Sequence, residues 1–281
     1  MLKKILGNTE ESTVEVGGST MDYVAFGRGD KPLVIIPGLG DGLKTVKGTG
    51  LMLWYFYRFL GRDFRVYVFS RKNELEAGST TRDMAGDLAE AMDILHIPPA
   101  AVMGVSQGGM IAQWLAIDYP ARVTRLVIAI SLARQNETVQ EAVGSWIKMV
   151  REERYDDLAV DMMEKNHTEK YLKKVRPFYW LIKRMSRPQS KKRFLIQADS
   201  CLTHDAYGEL ASIKCPTFII GGGADQVVGG EDVQQEMVAA IAGSELHIYP
   251  DLGHGAYAEA KDFGEHIYNF FCRKGSTSET E

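Results

Sequence analysis

The apolar positions of the chain fall into eight short segments, and helical spacing separates most of the later ones. The strand-like segments are residues 13–16, 21–26, 33–36, 64–69, 101–105, 126–130, 217–220 and 245–249. The helical stretches are residues 51–60, 81–95, 110–119, 233–241 and 257–271, of which 51–60 is apolar and aromatic on nearly every side. Two hairpin-like strands followed by repeated strand-helix-strand units predict an α/β fold, with a mostly parallel eight-stranded sheet and helices on both faces.

This alternation stops between about residues 132 and 200. The stretch has helical patterns interrupted by Pro177 and Pro188, and no segment in it resembles a strand. We therefore expect an inserted helical cap at 132–200, which divides the α/β core into a first part, 1–131, and a second part, 201–281.

Composition narrows the class of protein. The chain has 281 residues, 45% of them apolar, and a net charge of −4, which argues against a nucleic-acid-binding protein. The start of the chain, residues 1–6, turns polar too soon for a secretory signal, and no apolar run is long enough to span a bilayer. Three cysteines without metal or redox spacing suggest a reduced, cytoplasmic setting, and we expect no cofactor and no metal. The polar tail 275–281 is expected to fray.

One segment departs from this charge balance. Residues 170–193 contain ten cations and no acid. The segment is either a solvated helical face or an electrostatic funnel for anionic substrates, and an acidic lipid surface or a protein partner is a third interpretation.

The strongest chemical signal is Ser106, in the sequence Gly-Val-Ser-Gln-Gly at 104–108. It lies between an apolar strand and a helical stretch, so it occupies a sharp strand-to-helix turn. Such a turn brings backbone segments too close for a Cβ at its flanks, and Gly104 and Gly108 meet that requirement. An inert serine in a glycine-rich turn is the alternative interpretation.

A serine nucleophile needs a general base, and the base needs an acid to hold it. Among six histidines, His254 lies in a tight loop just after the last strand, at the same sheet edge as Ser106. Asp225 follows the preceding strand through a glycine-rich loop and is our candidate acid. Asp251 competes for that role, because it is three residues from His254, but it is also suited to a turn.

The oxyanion of an acyl-transfer reaction needs two backbone N–H donors. The Gln107 N–H, directly after the serine, is one. The second is expected from the loop 37–42, at Leu39 or, as the alternative, Gly40. That loop has alternating glycines but neither the Gly-Lys-Ser/Thr ending of a phosphate-binding loop nor dinucleotide spacing, so a phosphate-binding loop is not predicted.

With these residues, the sequence resembles the capped serine hydrolases of the α/β-hydrolase superfamily, of carboxylesterase or lactonase type. The resemblance rests on the Pro-Gly-Leu-Gly loop at 37–40, the serine turn at 104–109, and the order Ser106, Asp225, His254, and it covers nearly the whole chain. The chain differs at 69–72, where the Asp-x-Arg-Gly sequence usual in the family is absent. Substrate specificity is therefore not transferred from relatives.

The resemblance implies hydrolysis of a carboxylic ester through an acyl-enzyme on Ser106. Lactones, thioesters and carbon–carbon bonds of diketones are substrates of the same triad, and a ligand receptor with slow or no turnover is the alternative of another class. The substrate is expected to be a small molecule, and an anionic one if residues 170–193 act as a funnel. The sequence does not indicate an oligomeric state. The predicted pocket residues are apolar positions of the insertion: Trp146, Met149, Met162, Phe178 and Trp180, with Met163 and Tyr179 as further candidates.

Overall fold

The computed structural model describes residues 8–185 and 187–273; the predictions for residues 1–6 and 275–281 lie outside this part of the chain. The strands are β1 (Glu10–Val16), β2 (Ser19–Phe26), β3 (Lys31–Ile36), β4 (Phe64–Lys72), β5 (Ala100–Val105), β6 (Val123–Ala129), β7 (Thr217–Gly222) and β8 (Glu245–Tyr249). They form one sheet in the order β1-β2-β4-β3-β5-β6-β7-β8. The pairs β1–β2 and β2–β4 are antiparallel and all others are parallel, which confirms the predicted eight-stranded sheet.

Twelve α-helices lie within the described residues. They are α1 (Gly40–Leu43), α2 (Gly50–Tyr57), α3 (Thr81–Ile94), α4 (Gln107–Asp118), α5 (Glu137–Arg151), α6 (Tyr155–Asn166), α7 (Glu169–Val175), α8 (Tyr179–Met185), α9 (Lys191–Leu202), α10 (Glu231–Ala240), α11 (Ala256–Glu259) and α12 (Phe263–Cys272). Short 3₁₀ turns occupy Pro120–Arg122, Arg176–Phe178 and Tyr207–Ser212.

The strands alternate their side chains between two apolar layers. Val34 and Ile36 of β3 enter the cluster that includes α3 and α4, whereas Leu33 and Ile35 enter the cluster that includes α12. Both faces of the sheet are therefore covered, as expected for parallel strands joined by helices. Burial on both faces also explains why the inner strands β3, β5, β6 and β7 are almost continuously apolar.

Two helices differ from their predicted form. The apolar spacing of residues 110–119 is typical of an amphipathic helix with one buried face, but α4 is buried from Gln107 to Ala116, because the sheet covers one side of it and other helices cover the rest. The single helix expected at 257–271 is divided into α11 and α12. Between them, Asp262 accepts a hydrogen bond from the Tyr249 hydroxyl at 3.0 Å, and the backbone at Ala260 is extended.

Helices α5–α9, which we call the inserted helices, lie between β6 and β7. They form a third apolar cluster, in which Trp146 and Phe194 pack with Leu39 of the loop after β3 and Met110 of α4. The inserted helices are thus packed over the carboxyl edge of the sheet, where β3 and β5 end.

Candidate active site

Ser106 lies in the turn between β5 and α4 with φ 55° and ψ −122°, a backbone conformation that is strained for any residue other than glycine. The neighbouring glycines make this turn possible. A Cβ at Gly104 would lie 2.1 Å from the Gly108 carbonyl oxygen, and one at Gly108 would lie 2.0 Å from the Ile36 carbonyl oxygen. The Ser131 hydroxyl donates to the Ser106 carbonyl at 2.8 Å, so the segment that follows β6 also holds the strained turn.

The side chain of Ser106 ends a chain of two hydrogen bonds. Its Oγ lies 2.9 Å from His254 Nε2, and His254 Nδ1 lies 2.8 Å from Asp225 Oδ2. The second carboxylate oxygen of Asp225 accepts the N–H groups of Val227 and Val228, at 2.7 and 3.0 Å. A buried carboxylate on Nδ1 favours the tautomer that carries its proton there, which leaves the Nε2 lone pair facing the serine hydroxyl.

Close contact between two loops brings the acid and the histidine together. Gly222, at the end of β7, lies so near the His254 loop that a Cβ there would be 2.4 Å from the Gly253 carbonyl oxygen. The Ala224 N–H donates to the Leu252 carbonyl at 3.0 Å. Asp251, the competing candidate, is exposed in the turn after β8, whereas Asp225 is buried.

The two predicted oxyanion donors both lie at helix starts. Gln107 is the first residue of α4, and Leu39 directly precedes α1, so neither N–H has a partner within its helix. Gly38 brings the Leu39 loop against the serine, because a Cβ at Gly38 would lie 3.2 Å from the Ser106 Cβ. Both N–H groups therefore belong to backbone that surrounds the Ser106 hydroxyl.

A buried arginine that the sequence did not indicate connects these two segments. Arg71 Nη2 donates to Gln107 Oε1 at 3.0 Å and to the Pro37 carbonyl. The Gln107 amide in turn donates to the Gln197 carbonyl at 2.6 Å. Burial lowers the pKa of Arg71 to about 10, against the opposite effect of Asp41, so the guanidinium remains charged at neutral pH.

Asp41 and Arg193 complete this buried network. Arg193 Nη2 lies 2.5 Å from Asp41 Oδ2, to which the Gln197 amide also donates at 3.1 Å. Arg193 further donates to the Arg71 carbonyl at 3.0 Å. Helix α9 is thus joined to the Leu39 loop through buried charges. Removing one partner of such a pair strongly destabilises a protein, because the other charge stays buried without compensation.

A cavity of about 400 Å³ opens above Ser106. Its apolar wall includes Met52, Leu53, Val105, Ile130, Trp146 and Met162, and its polar wall includes Lys44, Thr45, Tyr57, Asn166 and Tyr257. Two of the five predicted pocket residues, Trp146 and Met162, therefore line it. Lys44, Asn166 and the residues of α2 were missed, because nothing in their local pattern distinguishes them from loop or core positions.

The other three predicted pocket residues lie elsewhere. Met149 packs against the apolar cluster of the inserted helices. Phe178 and Trp180 are more than half exposed and do not line the cavity. Phe178 belongs to a 3₁₀ turn and Trp180 to α8, which packs on α6, and both side chains lie on the exposed surface.

The basic segment is less positive than its sequence suggests. Arg176 pairs with Glu164 at 2.7 Å and with Glu169 at 2.6 Å, both outside the segment. Arg187, Lys191 and Arg193 pair with Asp156, Glu153 and Asp41. Acids supplied by neighbouring elements therefore neutralise part of the segment, and Arg193 is buried.

The inserted helices also hold the loop of His254. The Gly255 N–H donates to the Asn166 carbonyl at 2.5 Å. Glu259 accepts the Thr168 N–H at 2.9 Å and lies 3.2 Å from His167 Nδ1. Burial lowers the pKa of His167, and Glu259 acts in the opposite direction. The position of His254 therefore depends on residues at the end of α6 as well as on β8.

Two other kinds of site have no counterpart in the described part of the chain. Within residues 8–185 and 187–273, no three His, Cys, Asp or Glu side chains are grouped so that they could hold a metal ion. In the same part of the chain, no helix combines the length and the apolar character needed to cross a bilayer.

Comparison with known proteins agrees with the fold. The chain is 24% identical to 3-oxoadipate enol-lactonase 2 of Acinetobacter baylyi, over 80% of this chain and 83% of that one. It is 26% identical to a 2-hydroxy-6-oxononadienedioate/2-hydroxy-6-oxononatrienedioate hydrolase of Escherichia coli, over 92% and 94%. The crystal structure of the enol-lactonase from Burkholderia xenovorans superposes with a TM-score of 0.81 at 21% identity, over 93% of this chain and all of that one.

The sequence profile of the alpha/beta hydrolase fold matches residues 31–261, which include β3 to β8 and the loops of Ser106, Asp225 and His254. Together with the sheet order and the helices on both of its faces, this match shows that the chain belongs to the α/β-hydrolase family.

Proposed function

We propose that this protein hydrolyses a carboxylic ester of a small molecule through an acyl-enzyme on Ser106. The observation that carries the proposal is the unbroken series of hydrogen bonds from Asp225 through His254 to the Ser106 hydroxyl, at 2.8 and 2.9 Å. These distances are those required for proton transfer from a nucleophile to its base. The series ends at the cavity, where an ester has access to Ser106.

The first half of the reaction forms the acyl-enzyme. His254 Nε2 takes the proton of Ser106 as Oγ bonds to the ester carbonyl carbon, and the carbonyl oxygen becomes an oxyanion. The N–H groups of Leu39 and Gln107 donate to that oxyanion, and Asp225 stabilises the imidazolium. When the carbon–oxygen bond to the leaving group breaks, His254 returns its proton to the departing alcohol.

The second half regenerates the enzyme. His254 takes a proton from water, whose oxygen bonds to the acyl carbon of the Ser106 ester. The resulting oxyanion is held by the same two N–H groups, and its collapse breaks the bond to Ser106 Oγ, which recovers its proton from His254. The acid product leaves without any change in oxidation state.

The inserted helices act, in this proposal, as a cap over the site. Trp146, Met162 and Asn166 come from α5 and α6 and line the cavity, while the α/β core supplies Ser106 and His254. Residues from the insertion therefore shape the acyl-binding space, and residues from the core carry the chemistry.

A lactone is the second candidate substrate. A lactone is a cyclic ester and follows the same steps, and the relative from Acinetobacter baylyi is an enol-lactonase. Lys44 on the cavity wall favours a substrate with a negative charge. Thioester hydrolysis, carbon–carbon bond hydrolysis and a slow-turnover receptor use the same constellation, and product analysis distinguishes them.

The test combines a covalent label with turnover. A fluorophosphonate should add one label per chain, on the peptide containing Ser106, and Ser106→Ala should abolish labelling. The wild type should turn over short p-nitrophenyl esters and a panel of lactones many times, and Ser106→Ala should not. Ligand binding without any turnover of esters, lactones or thioesters would contradict the proposal and favour a receptor.

A further inference from the structure

Helix α2 presents an apolar surface to solvent. Its sequence, Gly-Leu-Met-Leu-Trp-Tyr-Phe-Tyr, contains no charged residue. On one face of the helix, Leu53, Trp54 and Tyr57 pack against the apolar layer that includes α12. The opposite face is exposed, with Leu51 at 61%, Met52 at 51%, Tyr55 at 57% and Phe56 at 60%. Single exposed apolar residues are common, but four on one helix face indicate a binding surface.

Exposed cations flank this apolar face. Residues 42–62 contain Lys44, Lys47, Arg58 and Arg62 and no acid, in a chain whose net charge is −4. All four cations are exposed. Arg58 lies over the Tyr55 ring, 4.2 Å from its centroid, so charge and aromatic surface are adjacent.

A shallow groove next to α2 continues the positive surface. Arg58, Phe59, Arg62 and Lys261 line it, together with Gly264, Glu265 and Tyr268. Glu265 is the acid that lines the groove, and two acids beside it are held by other groups: Asp63 pairs with Arg62 at 3.1 Å, and Asp262 accepts from the Tyr249 hydroxyl at 3.0 Å. Glu11, which approaches α2 from β1, is directed at the Gly48 and Gly50 N–H groups. The groove therefore has a surplus of cations beside exposed aromatic side chains.

We propose that the outer face of α2 and this basic groove dock the protein on an anionic phospholipid surface. Aromatic and aliphatic side chains insert at the level of the headgroups, while neighbouring Lys and Arg side chains attract anionic lipids. Tyr55 and Phe56 supply the first component, and Arg58 and Lys261 supply the second.

A second copy of the chain is a less suitable partner. A two-fold interface sets the same patch against itself, which would bring the cations of residues 42–62 of both copies together with no acid from that segment to separate them. Helix α2 has only two turns and offers less area than a stable dimer requires. An anionic lipid surface avoids both problems.

The docking surface is continuous with the cavity. Met52 is half exposed on the outer face of α2 and also lines the cavity above Ser106. Docking through α2 therefore turns the cavity mouth towards the lipid. If Ser106 hydrolyses esters as proposed above, amphiphilic esters dissolved in the lipid are the substrates that this orientation favours.

Vesicle binding tests the docking without relying on activity. The full-length protein with Ser106→Ala, which removes turnover, is sedimented with phosphatidylcholine vesicles that contain, or lack, one third phosphatidylglycerol. We expect binding to the anionic vesicles that weakens as salt is raised, and much weaker binding to pure phosphatidylcholine. Equal or absent binding to both at low salt would overturn the proposal.

Two double variants, each with a matched control, locate the docking surface. Tyr55→Ser with Phe56→Ser should weaken binding about tenfold, because two inserted rings are lost. The control is Ile94→Ser with Tyr119→Ser. It removes exposed apolar groups elsewhere and should leave binding unchanged. Arg58→Gln with Lys261→Gln should weaken it about fivefold per cation. The matched control is Lys173→Gln with Lys174→Gln, in the basic segment of the inserted helices.

The variant results separate the possible surfaces. Loss of binding in the Lys173 and Lys174 control, with none in the Arg58 and Lys261 pair, would assign docking to the inserted helices and refute the role of α2. A wild type that is dimeric in solution and becomes monomeric with Tyr55→Ser and Phe56→Ser would show that a second copy covers α2. Thermal unfolding of each variant confirms that these exposed substitutions leave the fold intact.

Discussion

Arg71 donates a hydrogen bond to the side chain of Gln107 at 3.0 Å, and the same nitrogen reaches the carbonyl of Pro37. One guanidinium therefore connects the two backbone segments that supply the proposed oxyanion donors. A lysine cannot form this pair of bonds in the same fixed geometry, because its single ammonium lacks the planar fork.

Arg71→Met should lower kcat about tenfold to a hundredfold with little change in KM, because misplaced donors bind the oxyanion less well than the substrate. Arg71→Lys should restore only part of the loss. Steady-state kinetics on a p-nitrophenyl ester measure kcat and KM separately. Arg125→Met is the control, since Arg125 is a partly buried arginine that donates to the Phe270 and Arg273 carbonyls, away from the site. A rise in KM at constant kcat would show that Arg71 is not a positioning residue.

Asp225→Asn should reduce kcat about 10⁴-fold and leave the fold unchanged. The Asn oxygen can still accept the N–H groups of Val227 and Val228, but its amide then donates to His254 Nδ1. The imidazole proton moves to Nε2, so His254 can no longer accept the proton of Ser106.

Asp251→Asn is the matched control for Asp225, because Asp251 is the exposed acid near the same histidine. It should retain wild-type kcat. Equal activity of Asp225→Asn and the wild type would show that another group holds His254.

Lys44→Met should reduce the preference for anionic over neutral esters. A partly solvated cation on the cavity wall contributes about twofold to fivefold in kcat/KM at low salt. That preference should fade as ionic strength rises. Lys173→Met removes an exposed cation of the basic segment instead, and it should have no such effect. If Lys173→Met has the larger effect, the charge that selects the substrate lies on the inserted helices.

His204 should make the protein less stable as the pH falls. It is buried, its Nδ1 lies 2.8 Å from the Thr81 hydroxyl, and burial lowers its pKa from 6.5 to about 3. Between pH 6.5 and 3 the unfolded chain binds a proton here that the folded chain does not. The free energy of unfolding is therefore highest above pH 6.5 and falls by up to about 1.4 kcal/mol per pH unit below it.

Urea unfolding of the wild type and His204→Asn at pH 7.5, 6 and 5 measures this contribution. Asparagine retains a polar group for Thr81 and does not titrate. The difference in free energy between the two proteins should shrink as the pH falls, and a difference independent of pH would contradict the buried neutral histidine.

The fold could be predicted because the inner strands β3, β5, β6 and β7 are buried on both faces and form short apolar runs in the sequence. The candidate site could be predicted in part because its residues occupy loops at the carboxyl ends of parallel strands, which meet at one edge of the sheet. Ser106, Asp225 and His254 are indeed brought within hydrogen-bonding distance by these loops. What they do chemically stays a prediction.

The features of the site that the sequence did not predict depend on contacts between distant parts of the chain. Phe178 and Trp180 have the composition of pocket residues, but the packing of α8 on α6 places them outside the cavity. Lys44 and Arg71 have no local pattern that distinguishes a cavity wall or a buried network from an ordinary surface. Their environments follow from tertiary packing, which hydrophobic periodicity does not describe.

The hydrogen bond from Gly255 to the Asn166 carbonyl limits how this enzyme's specificity can diverge. An insertion that only covered a site could be exchanged for another without harm to the catalytic core. Here the end of α6 supports the loop that carries His254, and Glu259 holds Thr168 from the other side. Grafting a different insertion should therefore preserve residues 166–168, so that new substrate preferences arise in α5 and the first turns of α6 rather than in the whole insertion.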